Sequence, residues 1–319
     1  MHKLLKLLLA AWVLATSAAS AQGLANKPIR MLLGLPPGGG TDSNTRLIAG
    51  KLGESLGQVV VVDNRPGASG AIAAEITANA PADGHTVMMM SATMLTNTLL
   101  TKVRYDTLRD YTPITFLSSN PYVLLIHPSV PATNFNEFVA YARANPGKLN
   151  YASSGNGGIV HLATVLLESV TNTRFVHVPY KGLAVAYTDL LAGRVQISMS
   201  SVISGLPHVK SGKVRALGVT SRTRMAMLPD MPTLAESGAA GLEIAQWNAL
   251  LGPAGIPRAL VDRLHRETVA VLRQPEVIAR MASDGSEPVG GSGRELAAHL
   301  RAELNKWGAL IRKYDIKAD

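Results

Sequence analysis

The sequence predicts an α/β protein of two lobes, each with a mostly parallel sheet flanked by helices, and a cleft between the lobes. Short aliphatic runs alternate with amphipathic segments of about 10–15 residues, which is typical of strands joined by helical crossovers. The runs are continuously apolar, as in the valines at 59–62, and this indicates strands covered on both faces. A length of 319 residues favours two domains over one.

The elements of the first lobe follow one another closely along the chain. Apolar β-rich runs predict strands, and the segments after them carry the helical period. The predicted strands are residues 29–35, 59–63 and 85–90, and the predicted helices are residues 41–56 and 71–80.

A second series of elements starts near residue 122. Asn134 and Glu137 have the spacing of a capping box, which predicts a helix that runs to Ala144. The strands predicted in this series are residues 122–127, 149–151, 175–178, 195–199 and 214–219, and two further helices are predicted at residues 159–170 and 183–191.

The C-terminal tail has a different pattern, with one predicted strand at 244–251 and helices at 258–272, 276–282 and 294–314. One strand is too few for a separate sheet, so we expect the tail to return to the first lobe. Lobe 1 is therefore predicted to comprise residues 22–121 and 247–319, and lobe 2 residues 122–246.

The first 21 residues have the features of a signal peptide. Lys3 and Lys6 flank the start of a short apolar run, and Ala19, Ser20 and Ala21 provide the small residues that precede a cleavage site. A membrane anchor is the alternative, but the run is well short of the ~20 residues that span a bilayer. We expect cleavage before Gln22 and a mature exported protein.

Composition and charge exclude several classes of function. The chain has no cysteine, which excludes disulfides, iron–sulfur clusters and thiol catalysis. Removing Lys3 and Lys6 leaves 29 basic against 22 acidic residues, a net charge of +7. The basic residues are scattered and only 5% of residues are aromatic, which argues against nucleic-acid binding. A mildly basic exported protein fits an anionic solute better.

Three glycine-rich loops each follow a predicted strand and precede a helix, at residues 36–42 (PPGGGTD), 65–70 (RPGASG) and 153–158 (SSGNGG). The first N–H groups of a helix lack partners and, with the helix dipole, attract an anion without a charged side chain. Thr41, Ser153, Ser154 and Asn156 add side-chain donors. Tight turns alone are the alternative interpretation, which is weaker for the first and third loops because each lobe contributes one.

No enzyme motif or metal-binding spacing is present. The eight histidines show no i, i+3 or i+4 pairing, so the sequence predicts no metal site. His127 and His177, each followed closely by a proline, are interpreted as packed side chains, whereas His161 is a candidate ligand contact because it follows the third loop. Lys181 could contact an anion or form a solvated turn. No nucleophile–base pair is predicted.

Several sequence blocks resemble one family, the Bug-type (Bordetella uptake gene) periplasmic receptors that serve tripartite tricarboxylate transporters. The resemblance extends from Lys27 to the C-terminal helix. Each block is weak alone, but their order and spacing are specific. The blocks are PGGGTD at 37–42, NRPG at 64–67, DG at 83–84, HPS at 127–129, LNYASSGNG at 149–157, HVPYKG at 177–182 and PDMPT at 229–233.

The resemblance implies a two-lobed periplasmic-binding-protein fold (type II-like) that closes on a carboxylate held largely by main-chain amides and water. It also implies that the segments at 91–93 and 180–182 border the cleft. Where many members carry an aspartate, this chain has Ser200, which cannot supply charge for an ammonium group, so a simple carboxylate is favoured over an amino acid. The candidate site comprises Pro37, Gly38, Gly39, Gly40, Thr41, Asp42, Ser91, Thr93, Ser153, Ser154, Gly155, Asn156, Gly157, His161, Tyr180, Lys181, Gly182 and Ser200.

The function predicted from these observations is capture of a small organic carboxylate and its delivery to a membrane permease. No cofactor, metal or catalytic residue is predicted, and a monomer is expected. Two alternatives stay open: a receptor that reports its ligand to a membrane sensor, and an exported hydrolase that uses His161 with a loop serine.

Overall fold

The protein is described from a computed structural model that covers residues 27–38, 40–180 and 183–317. The predicted signal peptide and three candidate site residues, Gly39, Lys181 and Gly182, lie outside these residues. The described strands are β1 (Ile29–Leu33), β2 (Val60–Asn64), β3 (Thr86–Ser91), β4 (Tyr111–Ile126), β5 (Asn150–Ser153), β6 (Val176–Pro179), β7 (Ile197–Ser201), β8 (Arg215–Val219), β9 (Ala245–Pro253) and β10 (Glu287–Ser292). The helices are α1 (Gly40–Leu56), α2 (Ala71–Ala78), α3 (Ala92–Leu100), α4 (Phe135–Ala144), α5 (Ile159–Thr171), α6 (Leu183–Leu191), α7 (Val202–Lys210), α8 (Arg258–Leu272), α9 (Pro275–Ser283) and α10 (Gly293–Tyr314).

Strand β4 belongs to two sheets. Its residues 111–121 pair with β9, and residues 115–119 also pair with β10, whereas its last five residues, 122–126, pair with β7 and β8. The first sheet has the order β2-β1-β3-β9-β4 and the second the order β4-β7-β5-β6. The sheets therefore meet in β4, and β9 begins beside that junction. The lobe boundaries stay a prediction, but this change of partners falls between residues 121 and 122.

The prediction of mostly parallel sheets is wrong in one respect. The pairs β1–β2, β1–β3, β5–β6 and β5–β7 are parallel, whereas every pair that involves β4 or β9 is antiparallel. Helical crossovers produce the parallel pairs. Strands β4 and β9 carry the chain between the sheets in opposite directions, so they pair antiparallel.

Neighbouring residues of the central strands are buried on opposite faces. In β3, Met88 and Met90 join one core cluster while Val87 and Met89 join another. This alternation with burial on both sides explains the continuous apolar runs of the sequence, because helices cover both faces. The largest cluster continues from the first sheet into the second and includes Trp247 and Trp307.

Local signals fix several helix starts. Ser292 and Glu295 form a complete capping box at α10. The capping box predicted at α4 is only half present: Asn134 accepts from the N–H of Glu137, but the Glu137 carboxylate accepts from the N–H of Thr133 instead, at 2.7 Å. Among the described helices, none has the length and apolar character to cross a membrane.

Candidate functional site

The first glycine-rich loop is held from within by Asp42. This side chain is 4% exposed and accepts from the Gly38 N–H at 3.0 Å, from Asn64 Nδ2 at 2.9 Å and from Arg46 Nε at 3.0 Å. Burial alone would raise its pKa, but these donors and the Arg46 charge outweigh it and lower the pKa to about 2. Asp42 therefore supports the loop, and the N–H of Gly38 is engaged with it.

The other described residues of the first loop differ in exposure. Pro37 and Gly38 are exposed, Gly40 opens α1, and Thr41 in the first turn of α1 lines a cavity described below. Among the described residues of this loop, Thr41 is therefore the one whose side chain is directed toward the cleft.

The third loop has its own internal hydrogen bonds. The fully buried Ser153 accepts from the Gly155 N–H at 3.2 Å, and its Oγ lies 2.6 Å from His177 Nε2. The Gly157 N–H donates to His161 Nδ1 at 3.0 Å. Two backbone donors that the sequence suggested for an anion are therefore used within the protein, while the side chains of Ser154 and Asn156 are exposed.

Behind this loop, three rings are stacked. His161 and His177 have ring centroids 4.0 Å apart, and Tyr151 stacks on His177 at 4.7 Å. Through His161 Nδ1 and His177 Nε2 the stack contacts Gly157 and Ser153, so it fixes the loop from its inner side.

A cavity of about 820 Å³, the outer cavity, lies between the two halves of the molecule. Ser69, Thr93, Thr96, Asn97 and Leu100 line one side, and residues 154–159 line the other. The halves come very close here, since a Cβ on Gly157 would lie 2.6 Å from Leu100 Cδ1. The first and third loops are thus not in direct apposition in the described residues: the third loop faces α3.

A second cavity of about 370 Å³, the hinge cavity, lies beside the junction of the sheets. It is lined by Thr41, Asn44, Asn120, Ser201, Ile203, Ser204, Gln246, Asn248, Asp284 and Ser286. Thr93 Oγ1 of the outer cavity lies 3.5 Å from Gln246 Oε1 of the hinge cavity, so the two cavities adjoin. Together they form one cleft, which contains Thr41 from the first loop and Ser154 to Gly157 from the third.

Other candidate residues have structural partners. Ser91 is 4% exposed and caps α3 by accepting from the Met94 N–H. Tyr180 donates to Asp189 Oδ2 at 2.7 Å, and partial burial together with this carboxylate raises the pKa of Tyr180 to about 12.

Ser200 is fully buried and hydrogen-bonded to Tyr187 Oη and to the carbonyl of Ser201. Because strand residues alternate in direction, its neighbour Ser201 lines the hinge cavity instead. Ser200 as a ligand contact stays a prediction, but the period-two pattern of β7 directs Ser201 and not Ser200 toward the cavity.

The polar residues of the hinge cavity were missed. Asn120 and Gln246 are directly paired across β4 and β9, and Asn248 follows in the same strand. A signal was available, since Gln246 and Asn248 are polar residues inside an otherwise apolar run. Across the described ranges no cluster of His, Asp and Glu has the arrangement of a metal site.

With this geometry established, comparison with known proteins identifies the family. Residues 45–316 match the family model described as Tripartite tricarboxylate transporter family receptor. The chain belongs to this family. The receptor is similar to Protein BugT of Bordetella pertussis, with 32% identity over 301 residues that cover 93% of this chain and 92% of BugT. The predicted resemblance to Bug-type receptors is confirmed.

Two solved structures from Rhodopseudomonas palustris are similar to the receptor over most of its length. One, solved with adipate, has 33% identity and a TM-score of 0.74, covering 92% of this chain and 99% of its own. The other, MatC with bound malate, has 27% identity and a TM-score of 0.70, covering 90% of this chain and 99% of its own. The predicted periplasmic-binding-protein fold class is confirmed.

Proposed function

We propose that the receptor captures a small organic carboxylate in the cleft and delivers it to the permease subunits of a tripartite transporter. The observation that carries this proposal is the outer cavity, where hydroxyl and amide groups of α3 face Ser154 and Asn156 across the cleft. The solved relatives with adipate and malate support the same ligand class.

Neutral donors suffice for binding of this kind. A hydrogen bond to a charged group contributes roughly 1.5–3 kcal/mol. Micromolar affinity requires about 8 kcal/mol. Four or five such donors reach this range after the costs of ordering, and the hydroxyls of Ser69 and Ser154 in the outer cavity are two candidates.

Ligand binding and closure are coupled through this geometry. A carboxylate between α3 and the third loop touches both halves only when they approach, so it stabilises the closed form by the contacts that the open form lacks. The permease then recognises the closed shape. A receptor that reports to a membrane sensor would use the same closure.

A catalytic role is disfavoured by burial. Ser153 Oγ and His177 Nε2 have the separation of a nucleophile and its base, but Ser153 is 0% exposed and its oxygen contacts both backbone groups of Gly155. A substrate cannot reach this oxygen without opening the loop. We therefore propose a binding protein and not an enzyme; turnover of an ester that Ser153→Ala or His161→Ala abolishes would contradict this.

We further propose export with cleavage before Gln22 and a monomeric mature protein. Intact-mass measurement of protein purified from the periplasm tests the cleavage site, and sedimentation analysis tests the monomer. A mass that retains residues 1–21 would contradict the first proposal.

The proposed function is tested with mature protein, residues 22–319, unfolded and refolded to remove copurified ligand. Isothermal titration against mono-, di- and tricarboxylates should find at least one that binds with micromolar affinity or better. Absence of heat with every acid would overturn the proposal. Uptake measured after deletion of the gene separates transport from sensing, because loss of uptake is expected only for a transport receptor.

A further inference from the structure

The third glycine-rich loop contains a chemically labile peptide. Asn156–Gly157 is the one Asn–Gly pair in the sequence. An asparagine followed by glycine loses its side-chain amide spontaneously, because the next backbone nitrogen attacks the amide carbon and glycine has no side chain to hinder the attack. The pair lines the outer cavity, where Asn156 is exposed. The cleft therefore contains a residue that can change its own charge.

Packing retains the glycine of this pair. Gly157 has φ +69°, a conformation that L side chains rarely adopt, and a Cβ added there would lie 2.6 Å from Leu100 Cδ1. A larger residue would hinder the attack on Asn156, but it would also strain the loop and displace Leu100. The fold thus keeps the residue that makes Asn156 labile.

The nitrogen that must attack is held by a hydrogen bond. The Gly157 N–H donates to His161 Nδ1 at 3.0 Å, and His161 stacks on His177 with ring centroids 4.0 Å apart. The new ring would close on the side of this N–H, where the imidazole lies, so the hydrogen bond must break first. Loss of the amide therefore requires a local opening of the loop.

We propose that Asn156 is a self-modification site of the cleft and that His161 controls its rate by holding the Gly157 nitrogen. In the opened loop, hydroxide takes the Gly157 proton and the nitrogen forms a bond to Asn156 Cγ. The Cγ–Nδ2 bond breaks, and the leaving nitrogen takes a proton from water to give ammonia and regenerate hydroxide. Water then opens the cyclic imide at either carbonyl, which leaves aspartate or isoaspartate at position 156.

Either product places a carboxylate where the intact loop has a neutral amide. This charge in the outer cavity repels a carboxylate ligand. Isoaspartate also lengthens the main chain of the loop by a methylene group. The effect on binding rests on the proposed function, whereas the modification itself does not.

The effect of the fold is measured on mature protein, residues 22–319, incubated at mildly alkaline pH. Mass spectrometry of peptides follows amide loss at Asn156, and Asn136, which is exposed and precedes Glu137, is the internal reference. In guanidinium-unfolded protein, Asn156 should lose its amide faster than Asn136 and at least tenfold faster than in folded protein. Equal rates at Asn156 in folded and unfolded protein would overturn the proposal.

Variants test the control by His161. His161→Leu, folded by circular dichroism, should lose the Asn156 amide at least threefold faster than wild type, and His161→Asn should restore the slow rate. His127→Leu is the matched control, because His127 Nδ1 also accepts a backbone N–H, from Ser129 at 3.1 Å, but in another loop. A rate in His161→Leu no higher than in wild type and His127→Leu would overturn the role of His161.

A measurement on wild type alone covers the case in which His161→Leu does not fold. Low concentrations of guanidinium that speed hydrogen exchange of the Gly157 N–H should speed amide loss at Asn156 by the same factor. Amide loss that does not follow this exchange would contradict control by the hydrogen bond.

The consequence for binding is tested with Asn156→Asp, which reproduces the charge of the product. By titration calorimetry it should bind the best carboxylate of the panel at least tenfold more weakly than wild type, whereas Asn156→Gln should stay within threefold and form no isoaspartate at this position. Wild-type affinity in Asn156→Asp would overturn the effect on binding. Failure of every acid to bind would overturn the proposed function but not the rates, which need no ligand.

Discussion

Gly157 and Leu100 meet across the cleft, and any larger residue at position 157 would displace the Leu100 side chain. Gly157 has φ +69°, and a Cβ at this position would lie 2.6 Å from Leu100 Cδ1. The residue precedes α5 in one half of the molecule, and Leu100 ends α3 in the other. The contact therefore limits how closely the halves approach.

Substitution of Gly157 should hinder closure. Gly157→Ala is expected to weaken ligand binding about tenfold, because its Cβ meets Leu100 Cδ1 when the halves approach. Its left-handed backbone costs a further 1–2 kcal/mol, roughly, which lowers stability and not affinity. Titration calorimetry measures the affinity. Gly147→Ala is the control, because Gly147 also has a left-handed backbone (φ +72°) but a Cβ added there would have no atom within 4 Å. This variant should lower Tm without changing affinity. Equal loss of affinity in both variants would show that the Leu100 contact is irrelevant.

Asp42 should make stability depend on acid pH. The carboxyl ionises near pH 3.8 when unfolded and near 2 when folded, so its stabilisation of about 2 kcal/mol is present above about pH 5 and is lost as the pH falls toward 2. Urea unfolding should show Asp42→Asn less stable than wild type at pH 7, with the gap shrinking at pH 2.5. Asp230→Asn, at an exposed aspartate, is the comparison and should show no such gap. A gap that is independent of pH would contradict the assignment.

The role of His161 can be separated from direct ligand contact. Its Nδ1 accepts from the Gly157 N–H, so His161→Leu should free the loop and weaken binding severalfold. His161→Asn offers an oxygen near the position of Nδ1 and should retain most of the affinity. If both variants lose affinity equally, the imidazole acts on the ligand and not on the loop. Titration calorimetry on refolded protein provides the comparison.

Trp247 should report closure by fluorescence. It is 1% exposed, lies in β9 beside the sheet junction and donates through Nε1 to Glu303, which also accepts from Trp307. Ligand-induced movement at the junction should change the emission of Trp247. Trp307 lies in α10 and not in a strand of the junction, so its emission should change less. A ligand-dependent change of the same size in Trp247→Phe would refute this prediction, and Trp307→Phe should retain it.

Most helices and strands could be predicted because their apolar period is strong. The elements without such a period were missed: α3, α7, β10 and the first part of β4, where Pro113, Ser118 and Ser119 interrupt the apolar pattern. The antiparallel position of β9 was also beyond prediction, since it depends on pairing between strands more than 100 residues apart.

The sequence predicted which loops contribute to the candidate site, but not which hydrogen bonds hold those loops in place. The sequence selects Thr41 and Ser154, which both line the cleft, because strand–loop–helix order is a local property. Their contact with a ligand stays a prediction. The sequence does not show that Asp42 binds Gly38, or that His161 accepts from Gly157, because a folded loop can satisfy its own donors. These partners become visible only in three dimensions.

The position of β9 between β3 and β4 determines when this chain can fold during its synthesis. The first sheet has a gap at its centre until residue 253 has left the ribosome, so earlier segments have no complete core to bury. A nascent chain of this topology cannot complete its first sheet during about four-fifths of its translation, and this delay suits passage through a narrow translocation pore.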